Sequence, residues 1–210
     1  MTDIFSLLQK IGSSTPAAKG PVTHLVVGLG NPGKDYEGTR HNAGFLCIDE
    51  VARRCGVKIL SSKFHALVSE AECGGKRVLL MKPQTFMNLS GAAVAEAAGF
   101  YQIPPERILV ICDDINFGVG HARIRLKGSN GGHNGLRNIE DRLGSQAYMR
   151  IRVGVGQKPS PEYDLAAWVL GRFPQDELRL LEETLAPRVA DAVELMLAGK
   201  PEDAMSRYSK

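Results

Sequence analysis

The sequence lacks the features that mark several large protein classes. No stretch approaches the roughly 18 consecutive apolar residues of a membrane helix, so neither a membrane span nor a membrane partner is expected. Cysteine is scarce. Cys47, Cys55, Cys73 and Cys112 show no C-x-x-C spacing, which argues against a disulfide or zinc framework and fits reduced thiols in a cytoplasmic protein. No His/Cys cluster has metal-ligand spacing, so no metal is expected. A G-x-S-x-G nucleophile elbow is absent, and no thiol sits in a local activating pattern. The first ten residues lack the basic start and long apolar core of a secretory signal; Asp3 and the absence of arginine there do not fit a transit peptide.

What is present is ordinary for a globular chain. The 210 residues are 43% hydrophobic and 23% charged, enough for one domain with a sizeable core. Residues 1–21 read as an N-terminal extension, with Gly12-Ser13-Ser14-Thr15-Pro16 as a flexible join, ahead of a domain over 22–210. Apolar runs suited to buried strands lie at 24–28, 77–81, 107–112 and 150–155. Helical patterns fall between and after them, at 42–55, 90–100, 135–143 and 174–198. Strands alternating with helices imply an α/β fold with a twisted, mainly parallel sheet.

Lys and Arg number 26 against 23 Asp and Glu, a net charge of only +3. The excess is local. Residues 121–158 hold eight basic and two acidic side chains, a net +6, so the rest of the chain carries −3. Arg123, Arg125 and Lys127 alternate along an expected strand face, and Arg150 and Arg152 share another, which makes a phosphate-binding stripe or a merely solvated face. The loop Gly128–Gly135 leads into a helix, whose first N–H groups could receive an anion.

Polar, Gly-rich clusters follow four of the strands, where α/β folds place their chemistry. Gly28-Leu29-Gly30-Asn31-Pro32-Gly33 matches G-x-G-x-x-G, but Pro32, Gly33 and Gly38 postpone the helix to about residue 42. A dinucleotide site needs the helix to open within the motif, so a tight turn presenting the Asn31 amide is the better reading. His41 stands just before the first helix, whose positive end disfavours imidazolium and keeps a neutral base available. Asp113, at the end of a neighbouring strand, is the carboxylate to orient it. Asp113 with Asp114 as a glycosidase pair is poorly supported, because adjacent strand residues point apart. With no nucleophile beside them, His41 and Asp113 imply an activated water. Ser90 reads as a helix N-cap. Asn31, Asn88 and Asn134 occupy strand-end loops, as turn formers or as uncharged ligands for peptide and ester groups. Phe86 and Met87 suit an apolar wall or the core.

Three stretches carry a resemblance. Gly28–Gly33 with Tyr36 and Thr39-Arg40-His41-Asn42-Ala43-Gly44 is similar to the opening signature of bacterial-type peptidyl-tRNA hydrolases. Lys82-Pro83-Gln84-Thr85-Phe86-Met87-Asn88-Leu89-Ser90-Gly91 resembles their second signature, and Gly131-Gly132-His133-Asn134-Gly135-Leu136 their third. The resemblance runs from about residue 22 to the C-terminus. It implies a phosphorylase/hydrolase-like α/β sandwich, monomeric, without a cofactor or obligate protein partner. It implies hydrolysis of the ester joining a peptide to the terminal ribose of tRNA, with the acceptor arm and 3′ end of the tRNA as the bound elements. His41 is then the general base and Asp113 its stabiliser, while Asn31 senses the blocked amino end of the peptide. Asn88 and Asn134 bind substrate, Phe86 and Met87 line the pocket, Tyr36 contacts tRNA, and Arg125 and Arg152 grip a phosphate. Asn116 stands where the family commonly has Asp. The alternative is a non-enzymatic RNA-binding member of the same family, of the splicing-cofactor kind, which requires a transit peptide and an exposed apolar partner surface.

Overall fold

The computed structural model describes residues 20–209, so the expected extension over 1–21 lies almost wholly outside the described residues. Seven strands build one sheet: β1 (His24–Gly28), β2 (Ser61–Lys63), β3 (Ala66–Cys73), β4 (Lys76–Pro83), β5 (Ile108–Asp114), β6 (Ala122–Arg125) and β7 (Met149–Gly154). Their order is β2-β3-β4-β1-β5-β7-β6. The four central strands β4, β1, β5 and β7 are mutually parallel, whereas β2, β3 and β6 join antiparallel at the two edges. The central strands are apolar at nearly every position because helices cover both faces. Alternation divides each strand between two cores: Val26, Leu80, Leu109 and Ile111 face one layer, and Leu25, Val27, Met81 and Val110 face the other.

The first layer comprises α1 (Ala43–Arg54) and α6 (Ala186–Leu197), which bring Ile48, Val51, Val189 and Val193 to the sheet. The second comprises α2 (Ser90–Tyr101) and α3 (Asn134–Leu143), which bring Val94, Leu136 and Ile139. Each such aliphatic side chain contributes about 1.5–3 kcal/mol on full burial. The helix expected over 174–198 is one rod in three parts. These are α5 (Gln175–Leu180), a π-helical segment Leu181–Leu185, and α6. Two short helices lie outside the expected patterns, α4 (Leu165–Leu170) and α7 (Pro201–Tyr208), as does the β2–β3 hairpin.

The glycines of the opening motif act through packing. A Cβ on Gly28 would lie 2.4 Å from Gly44 O, and one on Gly30 would lie 2.7 Å from the Phe45 ring. Their absence lets the start of α1 rest directly on the end of β1. That close approach sets the position of the turn in front of α1, where His41 resides.

Two expectations are corrected. The β6–β7 register places Arg123 opposite Arg152 and Arg125 opposite Arg150, so all four arginines share one sheet face. Arg150 is only 1% exposed and is not part of a phosphate stripe. Its Nη1 donates to Ser129 O at 2.8 Å, it lies 3.6 Å from Glu140, and its guanidinium stacks 4.1 Å from the Tyr148 ring centre. Ser90 does not cap α2; its hydroxyl donates backward to Met87 O at 2.9 Å. No helix among the described residues is long and apolar enough to cross a membrane.

Candidate active site

The carboxyl ends of β1, β4, β5 and β7 open into a cavity of about 630 Å³. His41 reaches it from the 3₁₀ turn Arg40–Asn42, and Asp113 from the end of β5. His41 Nδ1 lies 2.8 Å from Asp113 Oδ1, and His133 Nε2 lies 2.9 Å from the same oxygen. His133, within the third signature but not among the residues expected at the site, lines the same cavity.

The hydrogen bonds fix the protons. His133 Nδ1 accepts from Gly135 N at 3.1 Å and Leu136 N at 3.3 Å, capping α3, so its proton resides on Nε2 and points at Asp113. The ring therefore occupies N–H groups of α3 that the sequence offers to an anion. Asp113 is 3% exposed and acceptor-only when ionised, so His41 is the Nδ1–H tautomer. Among the described residues, nothing takes up its Nε2 lone pair. His41, Asp113 and His133 lie close enough together to be weighed as a metal site. The proton on His133 Nε2 does not fit, since that nitrogen would have to ligate with its lone pair.

Burial alone would raise the Asp113 pKa, but the two imidazoles outweigh it and hold the carboxyl well below the usual range. For His41, burial favours the neutral ring, yet the charge and hydrogen bond of Asp113 prevail and raise its pKa above the ordinary value. This reverses the expectation from the helix end: the partner carboxylate governs the ring. Burial pushes the Cys47 thiol up to about 12, and the Cys112 thiol is raised as well, so neither is a ready nucleophile.

The remaining expected residues gather around this pair, with one exception. Asn31, Tyr36, Phe86, Met87, Asn88, Asn134 and Arg152 line the cavity. Asn31 Oδ1 accepts from Met87 N at 2.8 Å, and its Nδ2 has no acceptor among the described residues. The Asn42 side chain brackets the Asn31 backbone, accepting from its N–H at 2.8 Å and donating to its carbonyl at 3.0 Å. Phe86 is 55% exposed beside Tyr36, whereas Met87 is 4% exposed and packs in the core beneath the site. Arg152 Nε lies 2.8 Å from Asp114 Oδ2, an ion pair off the hydrogen-bond axis. Asp114 Oδ1 accepts both N–H and Nδ2 of Asn116. A carboxylate in place of Asn116 could not donate there. Arg125 lies apart from the cavity, exposed on β6.

Residues 25–210 match the family model for peptidyl-tRNA hydrolase. Peptidyl-tRNA hydrolases of Alkaliphilus metalliredigens and Caldanaerobacter subterraneus are 48% and 46% identical, each aligned over 89% of this chain and 99% of its own. The crystal structure of peptidyl-tRNA hydrolase from Acinetobacter baumannii superposes with a TM-score of 0.82 at 35% identity, covering 91% of this chain and 99% of that one. With its three signatures folded around one His–Asp pair, the chain belongs to the peptidyl-tRNA hydrolase family.

Proposed function

We propose that this protein hydrolyses the ester between peptide and tRNA, with His41 as general base. The observation that carries the reading is the 2.8 Å contact between His41 Nδ1 and the buried Asp113 carboxylate in the cavity wall. His41 Nε2 takes a proton from water as the water oxygen attacks the ester carbonyl carbon. The imidazolium formed is stabilised by Asp113, then gives its proton to the departing ribose oxygen. That oxygen leaves more readily than an amide nitrogen, so no acyl-enzyme is needed.

Asn31 Nδ2 donates to the peptide, and Asn88 and Asn134 bind the ester-bearing end through uncharged amides. Phe86 and Met87 form the apolar wall, with Tyr36 at the entrance. Arg125 and Arg152 take phosphates of the acceptor arm. The protein acts as a monomer in the cytoplasm. N-acetyl-aminoacyl-tRNA incubated with the protein in ¹⁸O-water tests the reading. One ¹⁸O in the carboxylate of the released N-acetyl amino acid, with free tRNA, is expected; tRNA bound and never released is the result that overturns it.

A further inference from the structure

Arg40, one residue before His41, is buried and does not line the cavity. Its guanidinium nevertheless binds three places in the chain distant from it in sequence. Nε donates to Val155 O at 3.2 Å, Nη1 donates to Arg172 O at 2.8 Å, and Nη2 pairs with Glu177 Oε2 at 3.2 Å. Val155 and Arg172 bracket the segment 156–171, which includes α4 and supplies Asp164, Leu165, Val169 and Leu170 to the cavity wall. The guanidinium also lies 3.8 Å over the ring of Trp168, whose Nε1 donates to Gly156 O at 3.0 Å. Backbone bonds complete the joint: Arg40 N donates to Gly171 O, and Phe173 N to Gly38 O.

One planar cation thus holds both ends of this flap and the Trp168 ring within it, while sharing a turn with His41. We infer that Arg40 is a positioning residue that couples the 156–171 flap to His41, so that cavity wall and base take up their places together. Its ligands are two carbonyls, a carboxylate and an indole face, spread around the guanidinium plane. A lysine carries the same charge as a point and cannot span them. The kinetic part rests on the hydrolase reading, whereas the structural part does not.

Trp168 is the only tryptophan in the chain, so its fluorescence reports the joint directly. Arg40→Ala is expected to raise acrylamide quenching of Trp168 and to lower kcat by about 10²-fold, as for a small misplacement of reacting groups. The Kd for deacylated tRNA should stay within a few-fold of wild type. Added guanidinium ion should restore part of the activity to Arg40→Ala, and Arg40→Lys should remain impaired. A folded Arg40→Ala protein with wild-type quenching and kcat overturns the inference, as does a loss of activity that leaves Trp168 quenching unchanged. If Arg40→Ala fails to fold, Glu177→Ala retains the arginine, removes its carboxylate acceptor and should show increased quenching with a several-fold lower kcat. Wild-type values for both overturn the inference. An inactive wild-type protein would instead contradict the hydrolase reading, with the Trp168 comparison still interpretable.

Discussion

Asp113 Oδ1 lies 2.8 Å from His41 Nδ1, while His133 Nε2 reaches the same oxygen at 2.9 Å from the opposite loop. The carboxylate therefore sets the tautomer and the basicity of His41 at once.

Asp113→Asn removes the influence that raises the His41 pKa and leaves burial, which lowers it. The acid limb of kcat/KM is expected above pH 6.5, the ordinary histidine value, in the wild type and at lower pH in the variant. Turnover should fall by at least ~10²-fold with tRNA affinity retained. Rates across pH 5–8, about the range over which histidine switches charge, decide this; an unmoved limb removes Asp113 from the mechanism.

His133 has two duties that substitutions can separate. His133→Ala loses both the α3 cap and the hydrogen bond to Asp113, and should cost about 1 kcal/mol in urea unfolding. His133→Asn can still cap, so it should retain most of that stability while sharing a lowered kcat. Equal stability of the Ala variant and wild type would show that the cap contributes nothing.

The arginines should divide by their partners. Arg125→Ala is expected to reduce the salt slope of tRNA binding by about one. Arg150→Gln should leave the slope unchanged and cost about 1–3 kcal/mol of stability, because the Ser129 carbonyl loses its guanidinium donor and Glu140 keeps only its Asn130 and Gln146 amide partners. Binding titrations at several salt concentrations, paired with unfolding curves, distinguish the two. A lower slope in Arg150→Gln contradicts the assignment.

Gly28→Ala would place a methyl group 2.4 Å from Gly44 O and 2.5 Å from Ile48 Cγ2. Overpacking of this kind typically costs about 1–3 kcal/mol. Since α1 carries the His41 turn on its front end, activity should fall together with stability. A variant as stable and active as wild type would show that the close approach is dispensable.

Much of this was legible because the central strands are apolar on both faces and the helices between them keep a 3.6-residue period. The site pair was legible because His41 stands just before the first helix and Asp113 at the end of a neighbouring strand, both on the side where such folds gather their loops. The β2–β3 hairpin escaped because small residues such as Ala66 and Ala71 occupy its buried positions, where alternation of bulky residues is the usual signal. Six residues of α4 are too few to show a period, and its place depends on Arg40, a contact distant in sequence. Arg150 reads as a surface cation until Glu140, Ser129 and Tyr148 close around it. His133 looked like one polar loop residue among several, since nothing local announces a ring shared between a helix cap and a distant carboxylate.

The most direct test of the account compares purified wild type and His41→Ala in single-turnover release of tRNA from N-acetyl-aminoacyl-tRNA, with tRNA affinity measured alongside. The account predicts rapid release by wild type, and a loss of at least ~10²-fold in His41→Ala at unchanged affinity. Equal rates for the two proteins would contradict it.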